Sequence, residues 1–212
     1  MALPNAILFP QSLLPLYIFE ERYRKMLADC LASDRMFSLA LRHREMEKKA
    51  AEPKPYEVAG LGIIRAAVAN KDGTSNIILQ GVIRVRICGY VKRKPYPIAQ
   101  IEPLETVSAD LVDPNPLATK VSELLETRAK LDMAIPDHVA KYLTTMTDAD
   151  NLADLVSFTL LSDFYEKQEI LETLDLRQRI QRLIQLLEKE QHQLLYWKKL
   201  QGGVKDKDIG LN

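Results

Sequence analysis

The densest group of chemically capable side chains in this 212-residue chain is Arg84, Arg86, Lys92, Arg93 and Lys94, with Tyr90 and Tyr96 interleaved. Cations beside tyrosines can neutralise phosphate while the rings stack on bases, which is an RNA-binding arrangement. The same residues also describe the solvent face of a strand followed by a basic turn, paired with Glu102 or Glu105, and that reading is favoured. Lys plus Arg equals Asp plus Glu at 29 each, so the chain as a whole lacks the positive field on which general nucleic-acid binding rests.

Other chemistries find less support. A Walker-type phosphate loop needs glycines followed by lysine, and no Gly-Lys dipeptide occurs. Gly60-Leu61-Gly62 lies inside a strand pattern with no helix after it. There is no Gly-x-Ser-x-Gly elbow. His43 sits in a basic run, His138 opens a short helix and His192 lies near the polar side of the last helix, so none has a partner at metal-ligating spacing. The two cysteines, Cys30 on a helix and Cys88 on a strand, fall in apolar patterns and read as buried, reduced thiols. Two cysteines without nearby histidines cannot close a four-ligand zinc site. Carboxylates are spread over helix surfaces and loops. The sequence therefore assigns no catalytic, cofactor-binding or metal-binding residue and points to binding rather than catalysis.

The elements that position these side chains change character along the chain. Up to about residue 105 the apolar period is two, and after about 113 it is 3.6. The change falls in Glu102–Pro116, which holds three prolines and two aspartates, and predicts units at 1–112 and 113–212. Early in the first unit Phe19, Tyr23, Met26, Leu27, Cys30 and Leu31 trace the apolar stripe of one helix. Phe37, Leu39 and Leu41 follow as a strand. Charged, proline-containing residues 44–57 read as a mobile surface loop rather than a calcium or partner site. The stretch from Val58 to Val68 and the run Ile77, Leu79, Gly81, Ile83, Val85, Ile87 read as paired strands around an Asn70–Gly73 turn, the latter set facing the core. Ile98–Ile101 resumes as a final strand. This predicts a small, strongly bent antiparallel sheet or barrel.

The second unit reads as helices. Asp113–Pro116 starts one, carrying Leu117, Val121, Leu124, Leu125, Arg128 and Leu131 on its stripe. A short helix after Pro136 turns Val139, Leu143 and Met146 inward. Thr147–Asp150 has the capping-box form and opens a third, with Leu152, Leu155, Val156, Leu160 and Phe164 packed. Asp175 caps the longest helix, whose Leu176, Ile180, Leu183, Leu187, Leu194 and Trp197 form either a coiled-coil seam for a homodimer or, as favoured, a face packed on its own bundle. Prolines 4, 10 and 15 break any signal-peptide core, and no run nears the ~20 apolar residues of a membrane span. The expected location is the cytoplasm.

Several of these pieces together resemble the N-terminal substrate-recognition domain of the ATP-dependent protease Lon. They are Leu3-Pro4, Leu8-Phe9-Pro10, Pro15-Leu16, the Gly60–Ile64 strand, Asp72-Gly73, and Gly81-Val82-Ile83-Arg84-Val85-Arg86-Ile87. In the helical half Leu152-Ala153-Asp154-Leu155 matches the family's third helix, and Gln168–Glu172 the turn after it. The resemblance implies an α+β architecture: a PUA-like antiparallel β pseudo-barrel with one inserted helix, then an α-helical bundle. It implies a non-catalytic, stand-alone module that binds unfolded peptide segments or a protein partner, without cofactor. These 212 residues hold no ATPase loop and no region for the family's Ser-Lys peptidase dyad, so neither activity carries over. The alternatives are a PUA-type RNA-binding module and a homo-oligomeric adaptor linked to proteolysis. The expected binding place is the cleft between barrel and bundle, with Phe9, Tyr17 and Tyr56 as aromatic candidates for which core packing is the favoured role.

Overall fold

The computed structural model describes residues 1–43, 54–107, 113, 115–131 and 135–203. Of the predicted loop at 44–57, residues 44–53 lie outside them. The strands are β1 (Ala2–Leu3), β2 (Leu13–Ile18), β3 (Met36–Leu41), β4 (Val58–Ala69), β5 (Ser75–Lys92) and β6 (Ile98–Leu104), with α1 (Glu21–Leu31) between β2 and β3. The helices that follow are α2 (Asn115–Ala129), α3 (Asp137–Thr145), α4 (Ala149–Leu160), α5 (Phe164–Glu172) and α6 (Leu176–Gly203). The fold is α+β as expected; the sheet is open and fits the expected pseudo-barrel loosely, antiparallel except where β1 joins β3. Its order is β1-β3-β4-β5-β2, with β6 also on β5, and β1 runs parallel to β3. The long β5 is the spine, pairing β2 along its first half and β6 along its second.

Two glycines explain how the N-terminal segment enters the core. Ala6–Phe9 is buried but joins no strand; it crosses the sheet against the backbone of β4 and β5. A Cβ at Gly60 would collide with the carbonyl oxygen of Leu8, and one at Gly81 with that of Phe9. Both positions therefore need hydrogen as a side chain. Gly81 also exchanges backbone hydrogen bonds with this segment, accepting from Gln11 N at 3.0 Å and donating to Ser12 O at 2.9 Å. A bulge breaks the pairing of β4 with β5 at Leu61 and Gly62, and the extra residue lies on β5.

That extra residue is Val82. Leu61 pairs with Ile83 while Gly62 pairs with Gly81, so two residues of β5 advance against one of β4. A one-residue slip exchanges the faces of everything beyond it. Ile83, assigned to the core by simple alternation, is 37% exposed, and Arg84, assigned to solvent, is buried. Cys88 is a second bulge residue and is exposed rather than buried, because Ile87 pairs with Ile101 and Gly89 with Gln100. Cys30 is half-buried.

Two principal apolar clusters result. One joins Leu8, Ile18, Tyr23, Met26, Leu27, Phe37, Leu39, Ile64, Ile77 and Leu79 beneath α1. Phe19 and Leu31, read as part of the α1 stripe, are exposed instead: Phe19 precedes the helix and Leu31 ends it. The other cluster spans the helices and takes Ile7, Phe9 and Leu41 from the N-terminal half of the chain. Three of its helices, α4, α5 and α6, start on aspartates. Asp148, one residue past the Thr147 that opens the predicted capping box, accepts from Asn151 N; Asp163 accepts from Tyr165 N and Glu166 N; and Asp175 accepts from Gln178 N. The Gln168–Glu172 stretch, expected as a turn, completes α5 because Asp163 caps it and Ile170 and Leu171 bury on the bundle. Leu176, Ile180, Leu183 and Leu187 of α6 are likewise spent inside the chain's own bundle. Glu190, which interrupts that pattern, is turned inward to pair with Arg128 at 3.1 Å and to accept from Ser162 N.

Sheet and bundle are joined by buried charge. Arg84 of β5 donates Nη1 to Asp154 Oδ2 at 2.9 Å, Nη2 to Asp154 Oδ1, and Nε to Leu171 O at 3.1 Å. Arg179 of α6 donates to Asp154 and Asp150, to Thr173 O at 2.8 Å and to Thr106 Oγ1 at 3.2 Å. Burial pushes the Asp154 carboxyl above its usual range, against the pull of the two guanidinium groups. Such a network fixes geometry more than it adds net stability.

Two stability changes follow. Gly81→Ala should displace Phe9 and cost about 3 kcal/mol in a urea unfolding titration, the upper end for overpacking. Arg84→Met and Asp154→Leu should each cost about 3–5 kcal/mol, and the double variant should cost less than their sum, because it removes Arg84 and its carboxylate together and leaves Arg179 paired with Asp150.

Candidate functional site

The segment Leu13-Leu14-Pro15-Leu16-Tyr17-Ile18 alternates strictly once it pairs with β5. Leu14, Leu16 and Ile18 turn into the core beneath α1. Leu13, Pro15 and Tyr17 turn outward, with Leu13 56% and Tyr17 53% exposed. Phe19, 61% exposed, stacks on Tyr17 at 5.9 Å between ring centroids. Register carries the strip across the sheet: Tyr17 pairs with Asn76 and Asn76 with the exposed Val68, while Pro15 pairs with Ile78 and Ile78 with Ala66. β2 is the last strand on its side of the sheet order. An exposed apolar strip on an edge strand is the form that extended polypeptide can join by adding backbone hydrogen bonds.

From Leu13 and Gln80 the strip runs into a cleft of about 550 Å³. Its opposite wall is Tyr142 and Met146 at the end of α3 together with Leu155 and Phe158 of α4. Gln11, Ser12, Asn151 and Thr159 complete the lining, so among the described residues no charged side chain contributes. The cleft floor is fixed: Ser12 Oγ donates to Phe9 O at 2.6 Å, and α4 is anchored to β5 through Asp154 and Arg84. A cavity of this size with apolar walls and a few amide and hydroxyl groups suits a bulky apolar side chain.

The cleft lies where expected, between sheet and bundle. Of the aromatic candidates, Tyr17 stands beside it on the exposed strip, Phe9 is fully buried in the helical core, and Tyr56 is half-buried and stacks on His43 with ring centroids 3.7 Å apart. The basic cluster does not assemble. Arg84 is consumed by Asp154; Arg86 pairs with Glu102 at 2.7 Å, as in the favoured reading; Arg93 lies over the Tyr90 ring at 4.6 Å; and Tyr96 donates to Asp29 at 2.7 Å. His138 and His192 are exposed, and among the described residues no three His, Cys, Asp or Glu side chains converge on a metal-sized site. Sequence reasoning missed Leu13, Tyr142, Met146 and Phe158. For Leu13 the signal was present in the alternation of β2; for the others only the packing of α3 and α4 against the sheet reveals it.

Comparison with known proteins agrees with this architecture. Residues 1–189 match the family described as the ATP-dependent protease La (LON) substrate-binding domain. The chain is 26% identical over 209 residues to a Lon protease of Dictyoglomus thermophilum, covering 97% of this chain and 26% of that protein. It is 29% identical over 209 residues to a Lon protease of Trichlorobacter lovleyi, covering 98% and 26%. It thus spans about a quarter of the length of these relatives. The N-terminal domain of a Mycobacterium avium complex Lon protease superposes with a TM-score of 0.67 at 19% identity, covering 89% of this chain and 96% of that one. A Lon N-terminal domain protein from Xanthomonas campestris superposes at 0.62 with 18% identity, covering 86% and 95%; at these identities the two structures establish the fold alone. With the family match running through the sheet, the inserted helix and most of the bundle, the chain belongs to the Lon substrate-binding domain family.

Proposed function

We propose that this chain is a non-catalytic recognition module that captures extended, apolar polypeptide segments. β2 is the docking edge, its outward Leu13, Pro15 and Tyr17 contact alternate side chains of the guest, and the cleft takes one bulky apolar residue. The observation that carries this reading is the continuity between an exposed apolar edge strip and a cleft lined only by uncharged groups. Segments of this kind are hidden in folded proteins and available in unfolded ones. The family description as a substrate-binding domain and the naming of its relatives as Lon proteases favour the same reading. ATP-dependent proteolysis belongs to those longer proteins.

The binding energy should concentrate on the exposed aromatic and aliphatic anchors. The double substitution Leu13→Ser/Tyr17→Ser should weaken capture of a reduced, carboxymethylated client protein by ~10-fold in fluorescence anisotropy, with no change in thermal midpoint. Equal binding by this variant would refute the site. Because the cleft is uncharged, affinity should vary less than ~2-fold between about 0.05 and about 0.5 M salt. A steep loss with salt would instead indicate an electrostatic contact through Lys92, Arg93 and Lys94.

A further inference from the structure

A separate cavity of about 410 Å³ lies where α1, β3 and β6 meet, and it shares no lining residue with the cleft. Its walls are apolar: Met26, Met36, Phe37, Leu61, Ile98 and Ile101. Two of these are thioethers, which adapt their shape to a guest. Among the described residues the charged side chains that line it are carboxylates, Asp29 and Asp34; the α-amino group of Met1, which also borders it and donates to Ser38 O, is pushed down to about 6 by burial and is mostly uncharged at neutral pH.

Both carboxylates are held in place. Asp29 accepts from Tyr96 OH at 2.7 Å and from Lys25 Nζ at 3.3 Å. Asp34 accepts from the Met36 backbone N–H at 3.1 Å. The bond to Asp29 pushes the Tyr96 hydroxyl up to about 12 and, from the other side, holds the Asp29 carboxyl below its ordinary range. Tyr96 thus remains a neutral donor beside an ionised acceptor through the neutral range. It also ties the turn between β5 and β6 to α1, which sets the width of the cavity.

An open apolar pocket with two exposed, oriented carboxylates at its rim is complementary to an apolar body that ends in a cation. We propose that this cavity is a binding site for small amphiphilic amines. An aryl or branched alkyl body sits among Met26, Met36, Leu61 and Ile101, and its ammonium group is drawn to Asp29 and Asp34. The volume is in the range of small-molecule sites. The inference does not rest on peptide capture at the cleft.

The full chain, with its methionine methyl groups carbon-13 labelled, is titrated with phenethylamine and, in parallel, with 2-phenylethanol and 3-phenylpropionate as neutral and anionic isosteres. The Met26 and Met36 methyl resonances should shift saturably with the amine at a dissociation constant near ~1 mM, realistic for a fragment of this size. The alcohol should bind at least ~5-fold more weakly and the carboxylate not detectably, since only the amine gains a charge-assisted contact. Asp34→Asn, at an exposed position, should reduce the preference for amine over alcohol by at least ~2-fold without affecting folding, Asp29 keeping the remainder. Ala99→Trp, which fills the cavity, should abolish binding of all three while client capture at the cleft is unchanged. Equal affinities for the three compounds, or no shift of either methionine methyl with the amine, overturn the proposal.

Discussion

Asp154 lies almost wholly buried between two guanidinium groups that come from distant parts of the chain, Arg84 on β5 and Arg179 on α6. Neither arginine could be taken from water alone, and the carboxylate could not remain charged without them. Each therefore makes the burial of the others tolerable, and their planar geometry fixes angles that apolar packing would leave loose. The consequence is directional. α4 is held against the sheet in one orientation, and α4 supplies Leu155 and Phe158 to the cleft. Arg179 extends the same network to Thr106 at the end of the sheet region, close to where Val107 and Asp175 form a parallel bridge.

The N-terminal segment depends on a second constraint, one of space. Ala6–Phe9 occupies the interior only because Gly60 and Gly81 let two backbones approach closely. Once there, Leu8 fills the cluster beneath α1, and Ile7 and Phe9 fill the helical one. A single extended segment thus feeds both cores. It emerges at Gln11 and Ser12, which line the cleft, and continues as β2. The exposed strip and the cleft floor are consecutive in the chain because the buried segment delivers them there.

The two cavities differ in electrostatic character. Among the described residues the cleft is lined by uncharged groups, and it adjoins an exposed apolar strand edge. The cavity at α1, β3 and β6 is bounded by two carboxylates and a tyrosine. Both lie at junctions between elements far apart in sequence.

Local pattern determined most of the elements: the first helix, with Tyr23, Met26, Leu27 and Cys30 of its expected stripe, the Asn70–Gly73 turn, the helices opening at Asp113, Pro136 and Asp175, and the family resemblance itself. Each depends on neighbours within a few residues, where period and capping chemistry suffice. The faces of β5 could not be read in this way. One extra residue at Val82 moves Arg84 from solvent to interior, and strict alternation carries no sign of such a slip. A trace was visible in the three charges Arg84, Asp154 and Arg179, each set in an apolar pattern, but their mutual pairing spans 70 and 25 residues of sequence. The same holds for both cavities, whose walls come from separate elements. Sequence by itself set which side chains were apolar, where helices start and which family the chain resembles. Tertiary structure alone decided which charges meet and which apolar faces stay open, because both are settled by contacts between segments that local periodicity does not link.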